Sequence, residues 1–211
     1  MNKEFKNVLV LAPHTDDGEL GCGATISKLI QNGSKVTYVA FSTADQSLPK
    51  GFQDGTLVNE LKDAAKKLGI QKNDLLIYRF EVRKLNYSRQ DVLEILIELR
   101  NKNNFDLVFL PSSHDIHQDH EVIAQEGLRA FKNTSILGYE LIWNNISFNS
   151  ECFIEVSMDN LNIKIDALKA YKSQSGKSYF SSDFITSLAK VRGTQIGVDY
   201  AECFEVMRLI L

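Results

Sequence analysis

Residues 8–23, VLVLAPHTDDGELGCG, constrain this chain more than any other stretch. Val8 to Leu11 is an unbroken β-branched and aliphatic run, the pattern of a strand covered on both faces in a parallel sheet. Pro13 ends it. In the turn that follows, His14, Asp16, Asp17 and Glu19 are released from strand pairing and can converge, while Gly21 and Gly23 leave room for a helix to start close against the strand. A second segment repeats the plan: Asp106–Leu110 reads as a strand, Pro111 stops it, and the loop SSHDIHQDH leads into a helix from Glu121 to Phe131.

Periodicity and breaker residues order the rest of the chain. Helices are expected over Leu20–Asn32, stopped at Gly33; over Leu57–Leu68, ended by Gly69; and over Tyr87–Asn101, capped by Ser88. Strands are expected at Lys35–Ser42 and Leu75–Tyr78, with a polar loop over Thr43–Thr56 beside the end of the former. From Ser135 the alternation weakens into strands at Ile136–Glu140 and Cys152–Val156, helices at Leu161–Tyr171 and Phe184–Arg192, the latter ended by Gly193, and a strand-like run at Phe204–Leu211. The class is therefore α/β: a single-domain, Rossmann-like, mostly parallel sheet flanked by helices, with a small C-terminal α+β extension completing one wall of the site. No repeat or linker divides residues 1–211, and 44% hydrophobic content over 211 residues suffices for one core.

Composition removes several classes of partner. Net charge is −3, with no block of like charge, so neither nucleic acid nor an anionic membrane is indicated. Three widely spaced cysteines, Cys22, Cys152 and Cys203, argue against a disulfide framework and for a reducing, cytoplasmic setting. Neither a signal peptide nor an 18-residue apolar span is evident. Association into a homo-oligomer is left open.

All four histidines, His14, His114, His117 and His120, fall in the two proline-stopped loops. The simplest physical cause is a shared divalent cation. Zinc takes imidazole and carboxylate ligands, and a catalytic site keeps three of them with one position open; His14, Asp17 and His120 form that set, and His114 is left as a rim or hydrogen-bonding residue.

HTDD at 14–17 followed by GCG, together with HQDH at 117–120, resembles the LmbE/PIG-L-like zinc deacetylases, which remove the N-acetyl group from an amino sugar within a glycolipid, a thiol-sugar or a nucleotide-linked precursor. The likeness runs through the α/β order of the first 135 residues and into RGTQIGVDYAECFEVMR near the C-terminus. It implies that His14, Asp17 and His120 hold zinc, that Asp16 is the general base, that His117 is the electrophilic partner and that Asp119 orients His117 and keeps it protonated. Amide chemistry agrees: water must be activated and the developing oxyanion stabilised. Three departures stand out. Thr15 replaces the usual proline, Gly18 occupies the place of the motif's glutamate with Glu19 one residue later, and Leu57 stands where many relatives carry an arginine three residues before the counterpart of Glu60. Asp115 reads as a turn residue or as a partner orienting a ligand imidazole; Arg192 and Tyr200 either touch substrate or pack.

Two other readings compete. A receiver-type signalling domain would hold magnesium on its acidic pair, but requires an aspartate ending the third strand and a lysine after the fifth; LLIYRFEV and SILGYE supply neither. A non-catalytic sugar-binding protein would keep the fold and the metal, and intact Asp16 speaks against it.

Overall fold

The structure, a computed structural model, describes residues 5–210. Seven strands form one sheet: β1 (Asn7–Ala12), β2 (Lys35–Ala40), β3 (Leu75–Ile77), β4 (Leu107–Pro111), β5 (Ser135–Tyr139), β6 (Cys152–Glu155) and β7 (Ala201–Arg208), in the order β3-β2-β1-β4-β5-β7-β6. The first five are parallel, and β7 and β6 extend the sheet antiparallel. Six helices flank it: α1 (Asp17–Gln31), α2 (Thr56–Leu68), α3 (Arg89–Lys102), α4 (Gln118–Ala130), α5 (Met158–Leu168) and α6 (Ser182–Ile196). The expected class holds, and the C-terminal extension is continuous with the sheet.

β1 shows why its sequence is apolar throughout. Val8, Val10 and Ala12 enter the core shared with α1, α2 and α5, whereas Leu9 and Leu11 enter the core under α3 and α4. A strand buried on both faces has no side free for polar residues. The order of connection reverses between β1 and β4, so the loops leaving their C-terminal ends splay around the crevice where such sheets bind ligands.

Element boundaries correct the sequence reading in an instructive way. α1 starts at Asp17 and α4 at Gln118, each three residues before the expected start. Asp17, Glu19, Asp119 and His120 are thus helical, and their polarity hides the apolar stripe that would mark a first turn. α5 begins at Met158 behind a reciprocal Ser157–Asn160 capping box. Ser88 stands at the start of α3 but makes no side-chain cap. Gly193 does not end α6: the helix runs on to Ile196 and stops at Gly197, φ +76°. Residue 211, the end of the expected last strand, lies outside the described residues.

α1 is broken at Cys22 (φ −144°, ψ 24°). The break is filled by a buried ion pair: Lys164 Nζ donates to Leu20 O (2.7 Å) and Glu202 (2.6 Å), while Glu202 accepts from the amides of Ala24 (3.3 Å) and Thr25 (2.7 Å). Just before it, Gly21 lies against Tyr139, where a Cβ would come within 2.4 Å of the ring. Helix and sheet meet there only because the side chain is absent. Among the described residues, no helix is long and apolar enough to cross a membrane.

Candidate active site

The first loop folds back on itself at once. Asp17, the first residue of α1, turns its carboxylate to accept from the His14 amide (2.8 Å), and the same oxygen lies 3.1 Å from His14 Nδ1. Beneath it, Glu19 is fully buried and hydrogen-bonded by the hydroxyls of Tyr38, on β2, and Tyr171, which follows α5 (2.8 Å for the latter). Both hydroxyls also reach the carbonyl of Thr15, at 3.3 and 2.6 Å. Glu19 therefore anchors the loop from below. Burial raises its carboxyl to about 8, against the two tyrosine hydrogen bonds. The Thr15 hydroxyl, at the position where the resemblance leads one to expect proline, is buried with no partner among the described residues.

The second loop is braced from β7 and then becomes the start of α4. Glu205 accepts from the Ser112 hydroxyl (2.9 Å) and from the amide and hydroxyl of Ser113 (2.8 and 2.5 Å). Asp115 holds His120 Nδ1 at 2.7 Å and accepts from the amide of His117 at 2.9 Å. His117 is the N-cap of α4, its Nδ1 accepting from the Asp119 amide at 3.2 Å.

That contact revises the expected role of Asp119. Its carboxylate does not reach His117; it accepts from the amides of Arg83 (2.6 Å) and Leu85 (3.2 Å) and pairs with His14 Nε2 at 2.9 Å. A ring nitrogen accepting from an amide carries no hydrogen, so His117 is the neutral tautomer with its hydrogen on Nε2. Its pKa agrees: burial, then the neighbouring His120 and His14, lower it to about 4.

The two loops meet in a small triangle. Asp17 Oδ2 lies 3.1 Å from His14 Nδ1 and 3.3 Å from His120 Nε2, and the two nitrogens are 3.2 Å apart. Zinc with bonds of ~2.0–2.1 Å separates its tetrahedral ligands by about 3.3 Å, so the spacing of these three atoms is compatible with one face of such a tetrahedron. The ring nitrogens on the far sides, His14 Nε2 and His120 Nδ1, are taken by Asp119 and Asp115, the usual support of metal-bound imidazoles. His117 also lies near, the three histidines offering atoms within 4.8 Å of one another. The tighter set with Asp17 is the better donor group, because His117 Nδ1 is committed to the helix cap.

The electrostatics favour positive charge at that spot. Burial opposes charging the imidazoles, yet Asp17, aided by Asp119 on His14 and Asp115 on His120, raises them to about 9 and about 10. Burial would raise Asp17 too, but His120 and His14 hold it well below the carboxylate range. Burial, then the charge of Asp17, raises Asp16 to about 6.

A pocket of about 240 Å³ opens over the triangle. His14, Asp16, Asp17, His117 and His120 line it, together with Trp143, Asn144, Gln174, Lys177 and Tyr179. Leu57 lies in its wall, so the arginine position noted in the sequence does face the pocket and is apolar here; Lys177 is the lining cation. Glu60 accepts from the amide (2.9 Å) and hydroxyl (2.6 Å) of Ser173, next to Gln174. The remaining candidates are elsewhere. Arg192 pairs with buried Glu140 and donates to Ser150 (3.0 Å), His114 contacts Asn149 (3.2 Å), and Tyr200 sits under Lys190. Trp143, Lys177 and Tyr179 escaped the sequence reading because no spacing links them to the metal motifs.

Residues 9–131 match the family described as PIG-L: GlcNAc-PI de-N-acetylase. The chain is 30% identical to the uncharacterized deacetylase YaiS of Escherichia coli (strain K12) over 176 residues, 80% of this chain and 91% of the other. It is 25% identical to the diacetylchitobiose deacetylase of Thermococcus kodakarensis, covering 94% and 82%. The solved N,N'-diacetylchitobiose deacetylase of Pyrococcus horikoshii shares the fold, with a TM-score of 0.79 at 23% identity over 97% of this chain and 84% of that one.

Proposed function

The chain belongs to the PIG-L, GlcNAc-PI de-N-acetylase, family, and from that premise we propose that it is a zinc-dependent hydrolase cleaving the acetamide of an N-acetylated amino sugar to acetate and the free amine. The observation that carries this reading is the triangle of His14 Nδ1, Asp17 Oδ2 and His120 Nε2, with edges of 3.1–3.3 Å, beside a carboxylate that the triangle does not use. The carbohydrate is suggested by the sugar deacetylases to which the chain is similar.

Zinc, when bound, supplies Lewis acidity to the acyl oxygen and to the attacking water, whose pKa falls toward ~7. The protein does the rest. Asp16, adjacent to a ligand yet free of the triangle, removes a proton from water as it attacks the acyl carbon, and returns one to the departing nitrogen. His117, its Nδ1 fixed by the Asp119 amide, offers Nε2–H to the developing oxyanion. As a neutral donor it has no proton to lose on the acid side of neutrality. Asp119 and Asp115 act through His14 and His120, holding each imidazole by its far nitrogen so that the other is turned toward the metal position. Asp119 is thus a positioning residue.

The three cysteines are free, which supports a reducing, cytoplasmic setting. The function is tested by zinc content together with acetate release from N-acetylhexosamines and their conjugates. Hydrolysis that is lost in Asp16→Asn while zinc is retained supports the assignment. A zinc-loaded protein that binds these sugars without releasing acetate is the non-catalytic relative instead.

A further inference from the structure

The proposed metal centre accounts for part of the pocket lining and leaves the rest unexplained. Trp143, in the turn after β5, and Tyr179, in the 3-10 turn Ser178–Phe180 ahead of α6, stack with ring centroids 3.9 Å apart and planes 13° apart. Both line the same pocket as Asp16 and His117, and both are only half-buried. Stacking covers the facing sides of the two rings, and the aromatic surface left over lines a pocket that is otherwise largely polar.

Both supports are fixed in place. The turn bearing Trp143 is closed by Asn145, whose side-chain oxygen accepts from the Leu141 amide (2.9 Å), and it is tied to the second loop where Ile116 donates to the Asn144 carbonyl (3.2 Å). The Asn144 side-chain Nδ2 also donates to Asp115, the residue that orients His120, at 3.4 Å. On the other support, Glu60 pins Ser173, and the Tyr171 hydroxyl bonds Thr15 in the loop that carries Asp16. The aromatic wall is therefore held at a set position relative to the reacting centre.

A pyranose has an apolar face of C–H bonds and a rim of hydroxyls, and an aromatic surface covers the former while leaving the latter to polar neighbours. Here Ser47, Asn144, Gln174 and Lys177 surround the wall. At about 240 Å³ the pocket falls below the ~300–1,000 Å³ of ordinary small-molecule sites, enough for one ring and its acetamido arm. We infer that the Trp143–Tyr179 pair is the platform for the sugar ring bearing the acetamide, and that it selects N-acetylated pyranoses over ring-less N-acetyl amines; the inference rests on the deacetylase reading above.

Trp143 is the chain's only tryptophan, so its fluorescence reports on this wall directly. The full-length zinc-loaded protein is titrated with N-acetylglucosamine and N-acetylgalactosamine, with N-acetylethanolamine as the ring-less control. A saturable fluorescence change with a hexosamine and none with the control is expected. Tyr179→Ala keeps the reporter and weakens binding roughly tenfold, about the strength of one stacked ring, and Tyr179→Phe recovers it. In turnover, Tyr179→Ala raises KM by a similar factor while kcat falls by less than about threefold, the signature of a lost binding contact. Silence of Trp143 toward both hexosamines, or a Tyr179→Ala protein with unaltered affinity and KM, overturns the platform. Saturable binding without acetate release keeps the platform and removes the deacetylase reading; acetate release with KM indifferent to Tyr179 does the reverse.

Discussion

The loop after β1 and the loop after β4 each bring one histidine to the triangle, but they are secured by different chemistry. The first hangs from a buried carboxyl, Glu19, gripped by two tyrosines. The second is spanned by hydrogen bonds to two acidic side chains, Glu205 from β7 and Asp115 within the loop. Support also crosses between them: Asp119 of the second loop holds His14 of the first, and Asp17 of the first meets His120 of the second. Neither loop is a metal site by itself. The geometry exists only where both strands deliver their loops to the same end of the sheet.

The strongest way to break this reciprocity is to remove the shared member. Asp17→Ala is expected to lower bound zinc from about one per chain to near zero, and acetate release to background, because two imidazoles alone leave an incomplete ligand set. Metal analysis alongside the activity assay checks it. His120→Ala, on the opposite loop, should do the same; a difference between the two would show that one loop binds metal alone. Next in size is Asp16→Asn, which sits outside the triangle. It should keep zinc and lose about 10²- to 10⁴-fold in kcat, the usual worth of a positioned base.

Smaller effects separate the supports. Asp119→Asn and Asp115→Asn should each weaken zinc binding roughly 10- to 100-fold through the imidazole they orient, as read by competition with a chelator. If only Asp115→Asn acts, the crossing support is not real. Zinc uptake at pH 7 should also release protons, since His14 and His120, raised to about 9 and about 10 without metal, must be deprotonated to bind. Affinity then rises with pH through that range, and titration calorimetry in buffers of different ionisation enthalpy counts the protons.

The smallest expected effect lies beneath the first loop. Glu19 is raised from 4.5 to about 8, so between those values the unfolded chain gives up a proton that the folded chain keeps, and this group's contribution to stability falls as pH rises. Glu19→Gln imitates the protonated form and should remove that slope. Denaturant unfolding of both proteins at pH 5 and pH 8 reads it: the variant gains on the parent at the higher pH. An equal offset at both values would mean that Glu19 is ionised in the fold.

The α/β class was legible, and the two loops stood out as candidate sites, because proline, the apolar runs and the clustered histidines are local signals. Helix starts were not, since the first turns of α1 and α4 are built from the polar residues of the site itself. The partner of Asp119 was misread for a related reason: adjacency in HQDH suggests His117, whereas the fold aims the carboxylate across to His14 and leaves only the backbone amide for its neighbour. Trp143 and Tyr179 meet only through tertiary packing. The departure at Leu57 was visible in sequence, but that it faces the pocket was not.

Diffraction from zinc-loaded crystals at wavelengths either side of the zinc absorption edge tests the central claim most directly. The account predicts one anomalous peak within about 2.0–2.2 Å of His14 Nδ1, Asp17 Oδ2 and His120 Nε2, with the Asp16 carboxylate outside its coordination. A peak bonded to His117 in place of Asp17, or density confined to one loop, would contradict it.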